Sequence, residues 1–369
     1  MKIVPFKAVY PNVNLVTSPD SFFGTVKEDY KTYLKSGFFK KDEDDSIFVY
    51  RITEHDKTHI GIVACNDIRD IQENRILRHE NTLASKEQSM MQLMLDKNAM
   101  VKPVLLAYEE VPELTSFMKT VVQSKARFLD IYFEQTNEHH ELWKVSDEES
   151  IAFVKQCFSN NVKKTYIADG HHRCYTTLHL YENKDYPRKH EDIKSILAIY
   201  FPFQQLSIYD FNRIASLPPK MSPVEFIVRL SKFFSIRKLN KLEKPRRKFE
   251  MTLCIRNEFF RIKWKKKVLN KYASDTVILD ANMLNVEVFQ NILDIQDVKT
   301  DSQVKYLAGN TDQEEVLNIL SKNENRIGFF LFPISADELK KVADAGETLP
   351  PKSTWFEPRI KNGILVKEI

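Results

Sequence analysis

The run Ile167-Ala168-Asp169-Gly170-His171-His172-Arg173 sets one carboxylate, two imidazoles and one guanidinium around a single glycine. Such a set can hold an anion. Lys164–Ala168 is β-branched and aromatic enough to predict a short strand, and His171–Asn183 carries Cys174, Leu178 and Leu180 where a helix would bury them. A helix N-terminus presents free backbone N–H groups and the positive end of its dipole, so it favours negative charge before any side chain contributes. Gly170 lets a phosphate approach the backbone closely, and Arg173 offers a planar fork of donors matched to phosphate. His172 and Arg173, just inside the helix, are better placed to face an anion than His171. Asp169 has two readings: a cap for the first free N–H groups, or a ligand for Mg²⁺, directly or through water. Only 8 of 369 residues are glycine, so one in this turn is informative. The plain alternative is an Asp-Gly turn flanked by two surface histidines. A zinc site drawn from His79, His139, His140, His171 and His172 lacks the usual ligand spacing and is disfavoured. Cys174 is expected to pack and not to react.

The same run resembles the signature of the family known as domain of unknown function 1015, which is similar to the free serine kinases and, more distantly, to proteins of the ParB/sulfiredoxin-like fold. Three further segments carry the resemblance: Arg78-His79-Glu80-Asn81-Thr82 with Lys86-Glu87, Pro103-Val104-Leu105-Leu106-Ala107-Tyr108, and Leu349 to Pro358. It implies a mixed α+β fold, with a ParB/sulfiredoxin-like nucleotide-binding core and an additional C-terminal α+β region. It implies that Gly170, His171, His172 and Arg173 contact the phosphates of ATP or ADP, with Mg²⁺ as companion ion. His79, Glu80 and Asp169 are the catalytic residues it implies. Glu80 would take the proton from the hydroxyl of free L-serine or a similar hydroxy amino acid. Without the resemblance, Glu80 reads as an exposed residue in a charged loop beside Glu73, Arg75 and Arg78. In the segment from Pro350 to Pro358, Lys352, Ser353 and Thr354 can reach an anion, and Lys352 is kept as a ligand contact. Trp355 and Phe356 are expected to pin the chain to a core. The chain departs from the family pattern at Gln88-Ser89-Met90, where an acidic-Arg pair is usual. It departs again at Asp210-Phe211-Asn212-Arg213, where Asn212 replaces a His.

Hydrophobic residues make up 43% of the chain and charged residues 29%, ordinary values for a globular protein. Cys65, Cys157, Cys174 and Cys254 are widely spaced, which predicts reduced thiols and no disulfide framework. No apolar run has the length of a signal or a bilayer span, so the expectation is a cytoplasmic protein that meets metabolites and not membranes. The net charge of +4 is uneven: Arg237–Lys271 carries +11 and the rest −7. Within that stretch Phe249–Arg256 and Phe259–Lys265 flank Asn257-Glu258, predicting a hairpin with one wet face and no specific nucleic-acid partner.

Irregular chain is expected over residues 1–24, where Pro5, Pro11 and Pro19 fall, followed by a helix over Thr25–Ser36. Strands are expected over Ser46–Thr53 and Thr58–Cys65, around a turn at residues 54–57. Helices are expected over 85–98, Leu114–Gln123, Glu148–Phe158 and Pro223–Phe234, and strands over Val101–Tyr108 and Lys194–Phe201. Another hairpin is predicted with His139-His140 in its turn. A soft boundary near residue 205 divides a nucleotide-binding catalytic region, 1–205, from a C-terminal α+β region, 206–369. Three functions follow: a small-molecule kinase, a ParB-like nucleotide switch, or a non-enzymatic protein of the same fold. No convincing helix-turn-helix accompanies the second.

Overall fold

The computed structural model describes residues 1–54, 56–82, 84–183, 193–298 and 301–369. The chain divides into two compact units, Met1–Ser207 with Glu357–Ile369, and Ile208–Phe356. Both mix helices with mainly antiparallel sheet, which makes the protein α+β.

In the first unit the apolar runs of Val104–Tyr108 and Ser195–Pro202 are buried along their whole length. That is the pattern of strands covered on both faces. They lie side by side, parallel, within a sheet ordered Ile76–Leu77, Thr165–Asp169, Val104–Tyr108, Ser195–Pro202, Lys57–Asp67, Ile47–Glu54, Glu138–Val145 and Leu129–Phe133. Ile47–Glu54 and Lys57–Asp67 pair from Phe48 opposite Val63 to Glu54 opposite Lys57; His55, in the predicted turn, lies outside the described residues. His139 and His140, expected in a turn, instead sit inside Glu138–Val145, opposite Thr53 and Ile52. Their strand extends that far because it pairs on both sides.

The first helix is also longer than expected. It runs Pro19–Lys35, with the Ser18 hydroxyl accepting from the Ser21 N–H at 3.4 Å. Proline in the first helical turn sacrifices no intrahelical hydrogen bond, so Pro19 starts the helix where it was expected to break it.

The second unit is built on a sheet ordered Phe234–Leu239, Glu258–Trp264, Glu250–Ile255, Arg326–Leu331, Phe211–Ser216 and Lys305–Ala308. Phe226, Met251, Leu253, Trp264, Phe289 and Phe329 form the heart of its core. The predicted wet face is absent from Glu250–Ile255, which is buried at every position. It is an interior strand, and its polar members are satisfied locally. Arg247 donates to Glu250 at 2.7 Å, and the Thr252 hydroxyl donates to the Glu243 carbonyl at 2.6 Å.

Candidate functional site

Strand Thr165–Asp169 ends at Asp169, and the chain passes through Gly170 into helix His171–Glu182. Gly170 has φ 104° and ψ 29°, a left-handed conformation that costs other residues strain. A Cβ built on Gly170 would lie 2.5 Å from Arg173 Nη2, so the guanidinium folds back over the turn. The space expected for a phosphate above Gly170 is therefore lined by Arg173 itself.

Asp169 is not the helix cap. Gly170 occupies the cap position and no side chain caps the helix, because Asp169 stands one residue too early. Its carboxylate turns to cations instead. Oδ2 accepts from Arg173 Nη2 at 2.9 Å and lies 3.3 Å from Lys102 Nζ, and Oδ1 lies 3.8 Å from Arg359. Burial works to raise this carboxyl, but Arg173, Lys102 and Arg359 outweigh it and hold it well below the usual carboxylate range. Burial lowers the Lys102 ammonium, and Asp169 opposes that shift. Lys102 and Arg173 thus share one carboxylate at a helix N-terminus, with Arg359 a little farther off. With side-chain exposures of 22% for Lys102 and 16% for Arg173, water screens these two charges weakly. The same arrangement does not fit Mg²⁺ at Asp169, since a divalent ion would have to settle among three positive groups. Composition gave no sign of Lys102 or Arg359 as members of the cluster; the available signal was position, Lys102 just before Pro103–Tyr108 and Arg359 just after Pro358.

Strand Ile76–Leu77 runs parallel to Thr165–Asp169, with Ile76 opposite Thr165 and Leu77 opposite Tyr166. The chain after Leu77 thus leaves the sheet at the end where Gly170 turns. His79 donates its backbone N–H to His171 Nε2 at 3.5 Å, and the two rings meet edge to face at 4.6 Å. Burial pushes the His79 imidazole down to about 3 and holds His171 well below its ordinary value. Both rings are neutral near pH 7 and add no charge to the cluster. The Arg78 guanidinium lies 5.0 Å over the Tyr175 ring, a second clamp between this segment and the helix. Glu80 and His172 are half-buried. Cys174 is fully buried and its thiol is pushed up to about 12 by burial, as befits a packing residue.

The remaining candidates lie elsewhere. Lys352 belongs to the second unit, exposed, with Nζ 5.0 Å over the Phe211 ring. Arg213, in the same unit, is fully buried; it pairs with Asp210 at 3.2 Å and donates to the Lys352 carbonyl at 3.3 Å. His140 Nδ1 meets the Tyr50 hydroxyl at 2.5 Å, and His139 Nε2 meets Asp130 at 2.5 Å. Asp130, His139 and Glu141 bring potential metal-donor atoms within 4.8 Å of one another. However, Arg51 holds Glu141 through two bonds of 2.6 and 2.7 Å, and Arg127 reaches both carboxylates. Among the described residues no helix is long and apolar enough to cross a membrane.

Fold and turn together define an α+β protein with a cationic strand-glycine-helix site. The chain belongs to the family described as "Protein of unknown function (DUF1015)", whose model matches residues 9–294. No curated protein matches it. Among solved structures it is similar to SbnI with a C-terminal truncation from Staphylococcus aureus, at 11% identity and TM-score 0.43, covering 82% of this chain and 87% of that one. It is also similar to a variant free serine kinase in complex with AMP, at 13% identity and TM-score 0.42, covering 82% and 89%. A conserved hypothetical protein from Pyrococcus furiosus is similar at 14% identity and TM-score 0.40, covering 85% and 98%.

Proposed function

We propose that the protein is a nucleotide-dependent phosphotransferase. Its first unit would hold the phosphates of ATP or ADP at Gly170–Arg173 and pass a phosphoryl group to the hydroxyl of free L-serine or a similar hydroxy amino acid. The observation that carries this reading is the pair of weakly screened cations, Lys102 and Arg173, gathered on Asp169 at the start of helix His171–Glu182. Fixed charge of that kind stabilises a transferring phosphoryl group without reorganisation during the reaction. The acceptor class rests on the family resemblance.

In this mechanism the hydroxyl oxygen attacks the terminal phosphorus, the bond from phosphorus to the bridging oxygen breaks, and the nucleotide leaves one phosphate shorter. The hydroxyl proton passes to the Glu80 carboxylate. His79 acts as a positioning residue, holding the Glu80 segment against His171. Asp169 orients Arg173 and Lys102 and is not proposed as a Mg²⁺ ligand, for the charge reason given above. His172 is proposed as a further phosphate contact; Lys352, which belongs to the other compact unit, is not part of this proposal.

The test is O-phosphoserine formation from serine with ATP or ADP, with and without Mg²⁺. The expected result is product from the wild type. No product with any hydroxy amino acid, while nucleotide still binds, would favour a nucleotide-binding protein without transfer, which needs only the turn.

A further inference from the structure

A cavity of about 240 Å³ opens beside the turn, within the first unit. Its apolar wall comes from Met90, Leu93, Met94 and Leu197. Lys27, Lys97, Lys102 and Arg173 also line it, and among the described lining residues there is no carboxylate. Lys97 donates to the Glu28 carbonyl, a contact that leaves its charge uncancelled.

These features select a ligand. Thioether and leucine side chains give a wall that adapts to a ring or a branched chain but offers little to a polar body. Four cations, of which Lys102 and Arg173 share the Asp169 carboxylate, still outnumber that one carboxylate, so the lining attracts an anionic head and repels an ammonium group. A zwitterionic amino acid finds no anion in the lining to receive its ammonium, so this space suits it poorly. An apolar cavity of about 150 Å³ already accommodates benzene, so the volume here admits a six-membered ring with its anionic substituent.

We propose that this cavity binds a small anion with an apolar body, an aryl or branched-alkyl phosphate or carboxylate. The head would sit at Lys102 and Arg173 and the body against Met90, Leu93 and Met94. The inference rests on the phosphate-binding reading of the turn, because Arg173 and Lys102 serve both. It adds a ligand class that serine and the nucleotide phosphates do not represent.

The test is calorimetric titration of the full chain with phenyl phosphate, inorganic phosphate and phenol. Phenyl phosphate should bind at least about tenfold more tightly than inorganic phosphate, and phenol immeasurably, since the ring adds buried apolar area only when the head anchors it. Met90→Trp and Leu93→Trp, at half-buried positions, should each reduce phenyl phosphate to the affinity of inorganic phosphate and leave the latter unaltered, with unfolding midpoints confirming that each variant is folded. Equal affinity of the two anions for the wild type would overturn this inference alone. Binding of neither would overturn it together with the phosphate reading. Displacement of phenyl phosphate by adenosine would assign the apolar wall to a nucleobase, and displacement by L-serine would assign it to an amino acid; either overturns the proposal.

Discussion

Two regions of this protein are rich in positive charge, and they differ in kind. Arg237–Lys271 has fourteen Lys and Arg against three Glu, yet its charges are dispersed and wet. Arg247 and Arg246 are each 69% exposed and pair with Glu250 and Glu243, and Lys238, 66% exposed, pairs with Glu258. The turn at Gly170 has only three cations, but all converge on one carboxylate and are half-buried. Charge becomes a binding site through convergence and withdrawal from water, and the number of lysines in a stretch measures neither.

The largest expected effect separates chemistry from binding at the turn. Glu80→Gln keeps the shape and removes the proton acceptor, so turnover should fall by about 10²–10⁴-fold while nucleotide affinity stays nearly constant. Equal turnover would remove Glu80 from the mechanism.

Next comes the carboxylate at the centre of the cluster. Asp169→Asn removes the carboxylate that Lys102, Arg173 and Arg359 share. Stability measured by denaturant unfolding should drop by about 2–3 kcal/mol. Added phosphate should restore more of it in the variant than in the wild type, by binding the uncovered cations in the native state. An unchanged unfolding midpoint would contradict the electrostatic account of the turn.

A smaller effect belongs to the second unit. Asp280 accepts from the Phe249 N–H and the Trp264 indole, and burial raises its carboxyl from 3.8 to about 7. Between those values the folded protein binds a proton that the unfolded chain has released. Its contribution to stability is therefore full below the unfolded value and is lost as pH rises toward 7. Relative to Asp280→Asn, the wild type should lose roughly 1–2 kcal/mol between pH 5 and 7, read from unfolding midpoints. Parallel pH profiles for the two proteins would refute the assignment.

The smallest effect sharpens the contrast with the basic stretch. Lys263→Gln and Lys266→Gln should each change stability by no more than about 0.5 kcal/mol. Any DNA or RNA binding by this stretch should be weak and collapse with salt, as phosphate contacts alone do. Sequence-specific binding that survives physiological salt would show that the charges converge after all.

The sequence made the local parts of this site legible. The strand, Gly170 and the helix were read to within a residue, because β-branched residues, a glycine and a helical pattern are short-range signals. The buried strands Val104–Tyr108 and Ser195–Pro202 were recognisable for the same reason. What could not be read was convergence. Lys102 and Arg359 meet Asp169 only because the sheet and the returning C-terminal segment carry them there. The cap role of Asp169 failed on one residue of register, since a φ that favours glycine put Gly170 at the cap. The hairpin formed, with Glu250–Ile255 paired to Glu258–Trp264, but its first strand has no wet face: Glu250 and Thr252 look solvent-facing in sequence, although local partners let them be buried.

The most direct test of the central claim is a calorimetric titration of ADP into the wild type and into Arg173→Ala. The account predicts binding to the wild type and a loss of ~1.5–3 kcal/mol in the variant, tenfold or more in affinity, as one charge-assisted contact to phosphate disappears. Equal affinity in the two proteins would contradict it.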